Sequence, residues 1–215
     1  MVRAVVFDMD GLMFNTEDVY FQVGDLVLQS RGYRFSRELS SAMMGRPPQA
    51  AFEVMIGWHR LNATWQQLKA ESEEAFLLLL DAQLAPMPGL LELLSALERG
   101  GIPKAIGTSS SRRLVDACLA RLHLAERFQF ILSAEDVTQG KPAPEIYLKA
   151  AQRFGLPAAE MMVLEDSSTG CRAAAAAGAY TVAVPGDHSR EQDFSIAHLV
   201  IDTLADPRLY AVLGL

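Results

Sequence analysis

Residues 5–14 read Val-Val-Phe-Asp-Met-Asp-Gly-Leu-Met-Phe, an apolar run broken by two carboxylates, Asp8 and Asp10. Residues 3–7 read as a short buried strand, because Val and Phe favour covered, pleated surfaces and the run is too short for a helix. If the chain stays extended past Phe7, its period-2 alternation puts Asp8 and Asp10 on one side and Met9 on the other. Gly11 then permits a sharp turn. A bare D-x-D-G is also compatible with a solvated acidic turn, so the rest of the chain must decide between the two.

From about residue 86, short apolar strands alternate with amphipathic helices, the pattern of a parallel sheet covered on both faces. Strands are predicted at 104–107, 130–133, 161–165, 180–184 and 198–201, and helices at 90–99, 112–122, 144–154 and 169–177, with Gly178 closing the last. Residues 16–85 carry helical periodicity and almost no strand signal, with helices predicted at 17–31, 47–56 and 64–84. The fold class is therefore α/β: a Rossmann-like parallel-sheet core, residues 1–15 and 86–215, carrying an inserted small helical cap, residues 16–85. The apolar stretch 209–215 reads either as a docked terminal helix or as an oligomer contact.

The composition narrows the function classes. The 215 residues are 50% hydrophobic and carry 19 Lys and Arg against 26 Asp and Glu, a net charge of −7. That balance disfavours a nucleic-acid backbone as partner. The amino terminus lacks a signal-peptide core, and no segment approaches the roughly 18 uninterrupted apolar residues of a membrane span, so a cytoplasmic protein without membrane association is expected. Cys118 and Cys171 lack paired spacing and read as reduced packing residues. His59, His123, His188 and His198 show no metal-ligand spacing.

Ligands of open parallel sheets bind at the carboxyl ends of the strands. The predicted strands deliver Asp8 and Asp10, then Thr108 and Ser109, then Lys141 from the loop after the third, then Glu165 and Asp166. Several carboxylates with one nearby lysine repel one another unless a hard cation joins them, and Mg²⁺ prefers carboxylate oxygens, waters and substrate phosphate. A phosphate monoester completes the set: Mg²⁺ and Lys141 neutralise its oxygens and Thr108 donates a hydrogen bond. One carboxylate is then free to attack phosphorus, while Asp10 is suited to protonate the leaving oxygen and later activate water.

FDMDG (7–11), IGTSS (106–110), GKPAPEIY (140–147) and LEDSSTG (164–170), in that order, resemble the haloacid dehalogenase superfamily, in its phosphatase and β-phosphoglucomutase-like branch. The resemblance covers essentially the whole chain. It implies Asp8 as nucleophile and Mg²⁺ ligand, and Asp10 as acid/base and metal ligand through its backbone carbonyl. It further implies phosphate binding by Thr108 and Lys141, metal binding by Asp166, and Glu165 as a ligand or as its supporting partner. Ser109 is expected to offer its backbone amide to phosphate, and Arg46, in the Gly-Arg-Pro-Pro loop of the cap, to meet an anionic substrate. The cap is expected to close over the substrate.

Departures from the family pattern sharpen the expectation. Asp10 disfavours dehalogenase and phosphonatase chemistry, which usually lack that acid. Tyr20 and Pro48 stand where β-phosphoglucomutases carry His and Arg, which weakens the mutase reading, and Asn15 replaces a common Asp. The expected activity is Mg²⁺-dependent hydrolysis of a small phosphorylated metabolite, a sugar phosphate first and a nucleoside phosphate next. A β-phosphoglucomutase-type isomerase is the alternative, with a non-catalytic phosphometabolite-binding protein behind it.

Overall fold

Four consecutive residues of strand β1, Ala4–Phe7, are wholly buried, as a strand covered on both faces requires. A computed structural model describes residues 1–44 and 46–215, with the Asp81 side chain excepted. The chain divides into two compact units, Met1–Asn15 with Ala85–Leu215, and Thr16–Leu84.

The second unit is helical: α1 (Thr16–Gln29), α2 (Arg37–Met43), α3 (Pro48–His59) and α4 (Trp65–Gln83). Helix α1 packs along α4, and α3 touches both α2 and α4. The α4 start is fixed by a capping box, in which Thr64 Oγ1 accepts from the Gln67 N–H and Gln67 Oε1 accepts from the Thr64 N–H. Helix α2 is an addition to the three helices read from sequence.

The first unit continues with α5 (Leu90–Arg99), β2 (Lys104–Gly107), α6 (Arg112–Arg121), β3 (Ile131–Leu132), α7 (Glu145–Phe154), β4 (Met161–Glu165), α8 (Ser168–Ala176), β5 (Tyr180–Ala183), β6 (Leu199–Val200) and α9 (Pro207–Leu213). All strand pairings are parallel, in the order β3-β2-β1-β4-β5-β6. The α/β parallel-sheet core is therefore as expected, and residues 207–213 form a helix. Ala4 and Val6 face a core shared with Ile146 and Tyr147 of α7 and Ala173 and Ala174 of α8. The alanines let α8 lie close to the sheet.

The strand order reverses between β1 and β4, and this switch point is where an open α/β sheet leaves a crevice beyond its strand ends. The register Phe7↔Leu164 brings those two ends level. Immediately past it, the Asp8 N–H donates to the Leu164 carbonyl at 2.9 Å. Gly11 turns the chain with φ 74. Asn15 then pins the outgoing chain to the returning one: its side-chain oxygen accepts from the Ala85 N–H at 2.7 Å, and its own N–H donates to the Ala85 carbonyl at 3.2 Å.

An aspartate carries the same acceptor oxygen, which explains why Asn serves at a position that is often Asp. Asn15→Ala is expected to cost about 1 kcal/mol of stability and Asn15→Asp much less, since a lost hydrogen bond is worth about that much; urea unfolding of the three proteins checks the ranking.

Candidate active site

Asp8 leaves β1 directly at the strand end, and the residue is buried. Lys141, from the loop between β3 and α7, reaches it from the side, with Nζ 2.5 Å from Asp8 Oδ1. The same ammonium donates to Glu165 Oε1 at 2.6 Å and to the Gly107 carbonyl at 3.0 Å. Three protons thus meet three acceptors. The loop that carries Lys141 is itself anchored, because the N–H groups of Thr138 and Gln139 donate to the Glu145 carboxylate at 3.0 and 2.7 Å. Lys149 also pairs with Glu145, and these contacts hold its carboxyl down at about 2. That anchor persists above the ordinary glutamate range and is lost only in strong acid.

Glu165, at the end of β4, is wholly buried. The Tyr147 hydroxyl and Lys141 both donate to its Oε1, and Ser167 Oγ donates to Oε2 at 3.1 Å. Helix α8 leaves room for this carboxylate only because residue 170 is glycine: a Cβ there would lie 1.9 Å from the Glu165 carboxyl carbon. Burial, then the Glu165 charge, push the Tyr147 phenol well above its ordinary value, so it remains a donor.

Asp10 stands one side-chain step further along. Its Oδ2 accepts from Ser110 Oγ at 2.6 Å and from Thr108 Oγ1 at 3.2 Å. Thr108 is buried at the end of β2, and its Oγ1 accepts from the Ser110 N–H at 3.0 Å. Ser109, between them, is exposed.

Asp8, Glu165 and Asp166 each offer a carboxylate oxygen within 4.8 Å of the others, and all three are buried. Burial pushes the Asp8 carboxyl well above its ordinary value; Lys141 opposes this, and Glu165 and Asp10 add to it. Burial also works against charge on Lys141, but Asp8 and Glu165 outweigh it and hold the ammonium well above its ordinary value. Three buried carboxyl groups lie together and the ammonium contacts only Asp8 and Glu165, which leaves a surplus of carboxyl oxygens. A hard divalent cation with oxygen ligands fits that donor set.

The sequence-predicted residues Asp8, Asp10, Thr108, Lys141, Glu165 and Asp166 thus belong to the ends of β1, β2 and β4 and the loop after β3, with Ser109 exposed beside Thr108. Arg46 belongs to the helical unit, where it is exposed and its Nε donates to the Ala42 carbonyl at 2.7 Å. Gly45, which precedes it, lies outside the described residues. Cys118 and Cys171 are buried free thiols, and burial pushes that of Cys118 up to about 12. His198 accepts from the Thr181 N–H at 3.1 Å.

Sequence reasoning placed Ser110 and Ser167 near the site without giving them a role, and gave none to Tyr147 and Gly170, although all four lie within the quoted motifs. Tyr147 left a further clue, as a tyrosine on the buried face of α7 whose hydroxyl needs a partner.

The sequence pattern of the haloacid dehalogenase-like hydrolases matches residues 5–184. The chain belongs to that family. It is 33% identical to a probable pseudouridine-5'-phosphatase of Drosophila melanogaster, over 95% of this chain and 91% of the relative. It is 30% identical to the phosphorylated carbohydrates phosphatase of Thermotoga maritima, over 82% of each. Among solved structures, CbbY from Rhodobacter sphaeroides in complex with phosphate superposes with a TM-score of 0.88 at 26% identity, covering 100% of both chains. A CbbY variant crystallised with xylulose-(1,5)bisphosphate gives 0.87 at 25% identity over 96% of both.

Lys141→Met leaves Asp8 and Glu165 buried without their counter-charge, which costs about 3–5 kcal/mol in comparable sites. A carboxyl raised in the folded state supplies stability below its unfolded pKa of about 3.9 and loses it as pH rises through the folded value. The deficit of Lys141→Met is therefore expected to be largest at neutral pH and to shrink on acidification. Denaturation of both proteins with chelator, across that pH range, checks the sign.

Proposed function

We propose that this chain is a Mg²⁺-dependent phosphatase of small phosphate monoesters, sugar phosphates first and nucleoside phosphates next, working through an aspartyl-phosphate on Asp8. The observation that carries the reading is the Lys141 ammonium held between Asp8 and Glu165, with Asp166 close by. The substrate classes named for the Drosophila and Thermotoga relatives, and the phosphate and sugar bisphosphate bound by CbbY, support the choice of substrate.

Asp8 and Asp166, with the backbone carbonyl of Asp10, would hold the metal, and Glu165 is proposed to act through Lys141 because its oxygens are already engaged. When bound, the metal supplies positive charge to the transferring phosphoryl oxygens and to the Asp8 carboxylate. Lys141 turns its protons from Asp8 toward the phosphoryl group as that group arrives, and Thr108 turns its single hydroxyl proton from Asp10 to donate to the group as well. The free Asp8 oxygen attacks phosphorus, and the ester P–O bond breaks as the P–O bond to Asp8 forms. Asp10, steadied by Ser110, gives its proton to the leaving alcohol oxygen. It then takes a proton from water, which attacks the aspartyl-phosphate and releases inorganic phosphate and the Asp8 carboxylate. Substrate choice is assigned to the helical unit, with Arg46 the residue to vary first.

Release of inorganic phosphate from a panel of sugar, nucleotide and small organic phosphates, with Mg²⁺ and with excess chelator, tests the reading. Metal-dependent release concentrated on one class is expected, and Asp8→Asn is expected to abolish it while leaving the fold intact. Turnover retained by Asp8→Asn would sink the nucleophile assignment, and isomerisation of a sugar phosphate without phosphate release would replace the phosphatase by a mutase.

A further inference from the structure

Tyr147 is wholly buried on α7, six positions beyond Lys141. Its hydroxyl donates to Glu165 Oε1, the same oxygen that Lys141 Nζ reaches at 2.6 Å. Its ring lies beneath the same ammonium, with Nζ 5.2 Å from the ring centroid. The phenol therefore touches both members of the pair that the phosphatase reading uses, without touching Asp8 in any described contact. Ser167 and the absent Cβ of Gly170 hold the other side of the Glu165 carboxylate.

We propose that Tyr147 is a positioning residue that sets how tightly Glu165 holds Lys141, and so how readily the ammonium is given up to a phosphoryl group beside Asp8. The inference rests on the phosphatase reading for its consequence and on geometry for its mechanism. A buried carboxylate must be compensated by whatever donors surround it. The phenol supplies part of that compensation to Oε1, and a hydrogen bond to one side of an anion weakens its pull on the other. Without the hydroxyl, Lys141 must supply the missing share. It is then drawn toward Glu165 and away from Asp8, which is where an incoming phosphoryl oxygen needs its proton.

Tyr147→Phe removes the oxygen and keeps the ring. Binding of inorganic phosphate to the metal-loaded protein, followed calorimetrically, is expected to weaken about tenfold, the scale of one charge-assisted hydrogen bond. kcat/KM is expected to fall by a similar factor. Mg²⁺ affinity without phosphate is expected not to fall, because Asp8 and Asp166 are both retained and Lys141 is drawn off Asp8, whereas a merely structural loss would lower it. In a Glu165→Gln background the same substitution is expected to add no further loss, since coupling through a shared partner is non-additive.

Phosphate affinity of Tyr147→Phe equal to that of the parent would overturn the proposal, as would a full additional loss in the Glu165→Gln background. If Tyr147→Phe does not fold, site-specific replacement of Tyr147 by a fluorinated tyrosine, a stronger donor of the same shape, is expected to tighten phosphate binding, and no change would count against the proposal. Phosphate binding reports on Tyr147 independently of turnover, whereas activity in Asp8→Asn would remove the phosphatase reading and leave the binding result standing.

Discussion

The Lys141 ammonium has three protons and spends two of them on buried carboxylates that would otherwise repel each other across the end of the sheet. Neither Asp8 nor Glu165 could be buried alone, since an isolated carboxylate costs several kcal/mol to remove from water. The parallel sheet makes the arrangement possible. Its order reverses between β1 and β4, so the two carboxylates arrive side by side, and the Gly107 carbonyl at the end of β2 takes the third proton. The surplus of buried carboxylate oxygens, Asp166 among them, is a donor set that suits a hard cation. The supports around it, Tyr147, Ser167, Gly170 and the Glu145-anchored loop, all serve to keep the charges from relaxing away from one another.

Much of the core was legible because its strands are buried on both faces. β2 and β4 run over the residues that apolar β-favouring runs predict, and α5 matches its amphipathic stretch to the residue. The weakest predictions fall at the sheet edges, where β3 and β6 shrink to the pairs Ile131–Leu132 and Leu199–Val200. An edge strand has one neighbour instead of two, so fewer of its residues are held by ladder bonds. Helix α2 escaped because Arg-Glu-Leu-Ser-Ser-Ala-Met buries only Leu39 and offers no apolar stripe; its one local signal is Ser36, which accepts from the Leu39 N–H.

In the site, the residues that stand directly at strand ends could be found by order along the chain. The residues that orient them could not. Ser110 matters because it lies against Asp10, and Gly170 because the Glu165 carboxylate occupies the space of its missing side chain. The first depends on how the loop after β2 folds back beside β1 and the second on how α8 seats on the sheet, neither of which periodicity encodes. Tyr20 makes the complementary point in the helical unit. At a position where mutases carry a histidine, its ring packs 4.9 Å from that of Phe76, so the side chain contributes to packing there.

The central claim, that Asp8 is the group phosphorylated in turnover, is tested most directly by stopping the reaction in acid during the first turnover with radiolabelled substrate and mapping the label. The account predicts a hydroxylamine-labile phosphoryl group on the peptide that contains Asp8, formed before inorganic phosphate is released. Label on any other residue, or phosphate released at full rate with no phosphorylated protein at any time point, would contradict it.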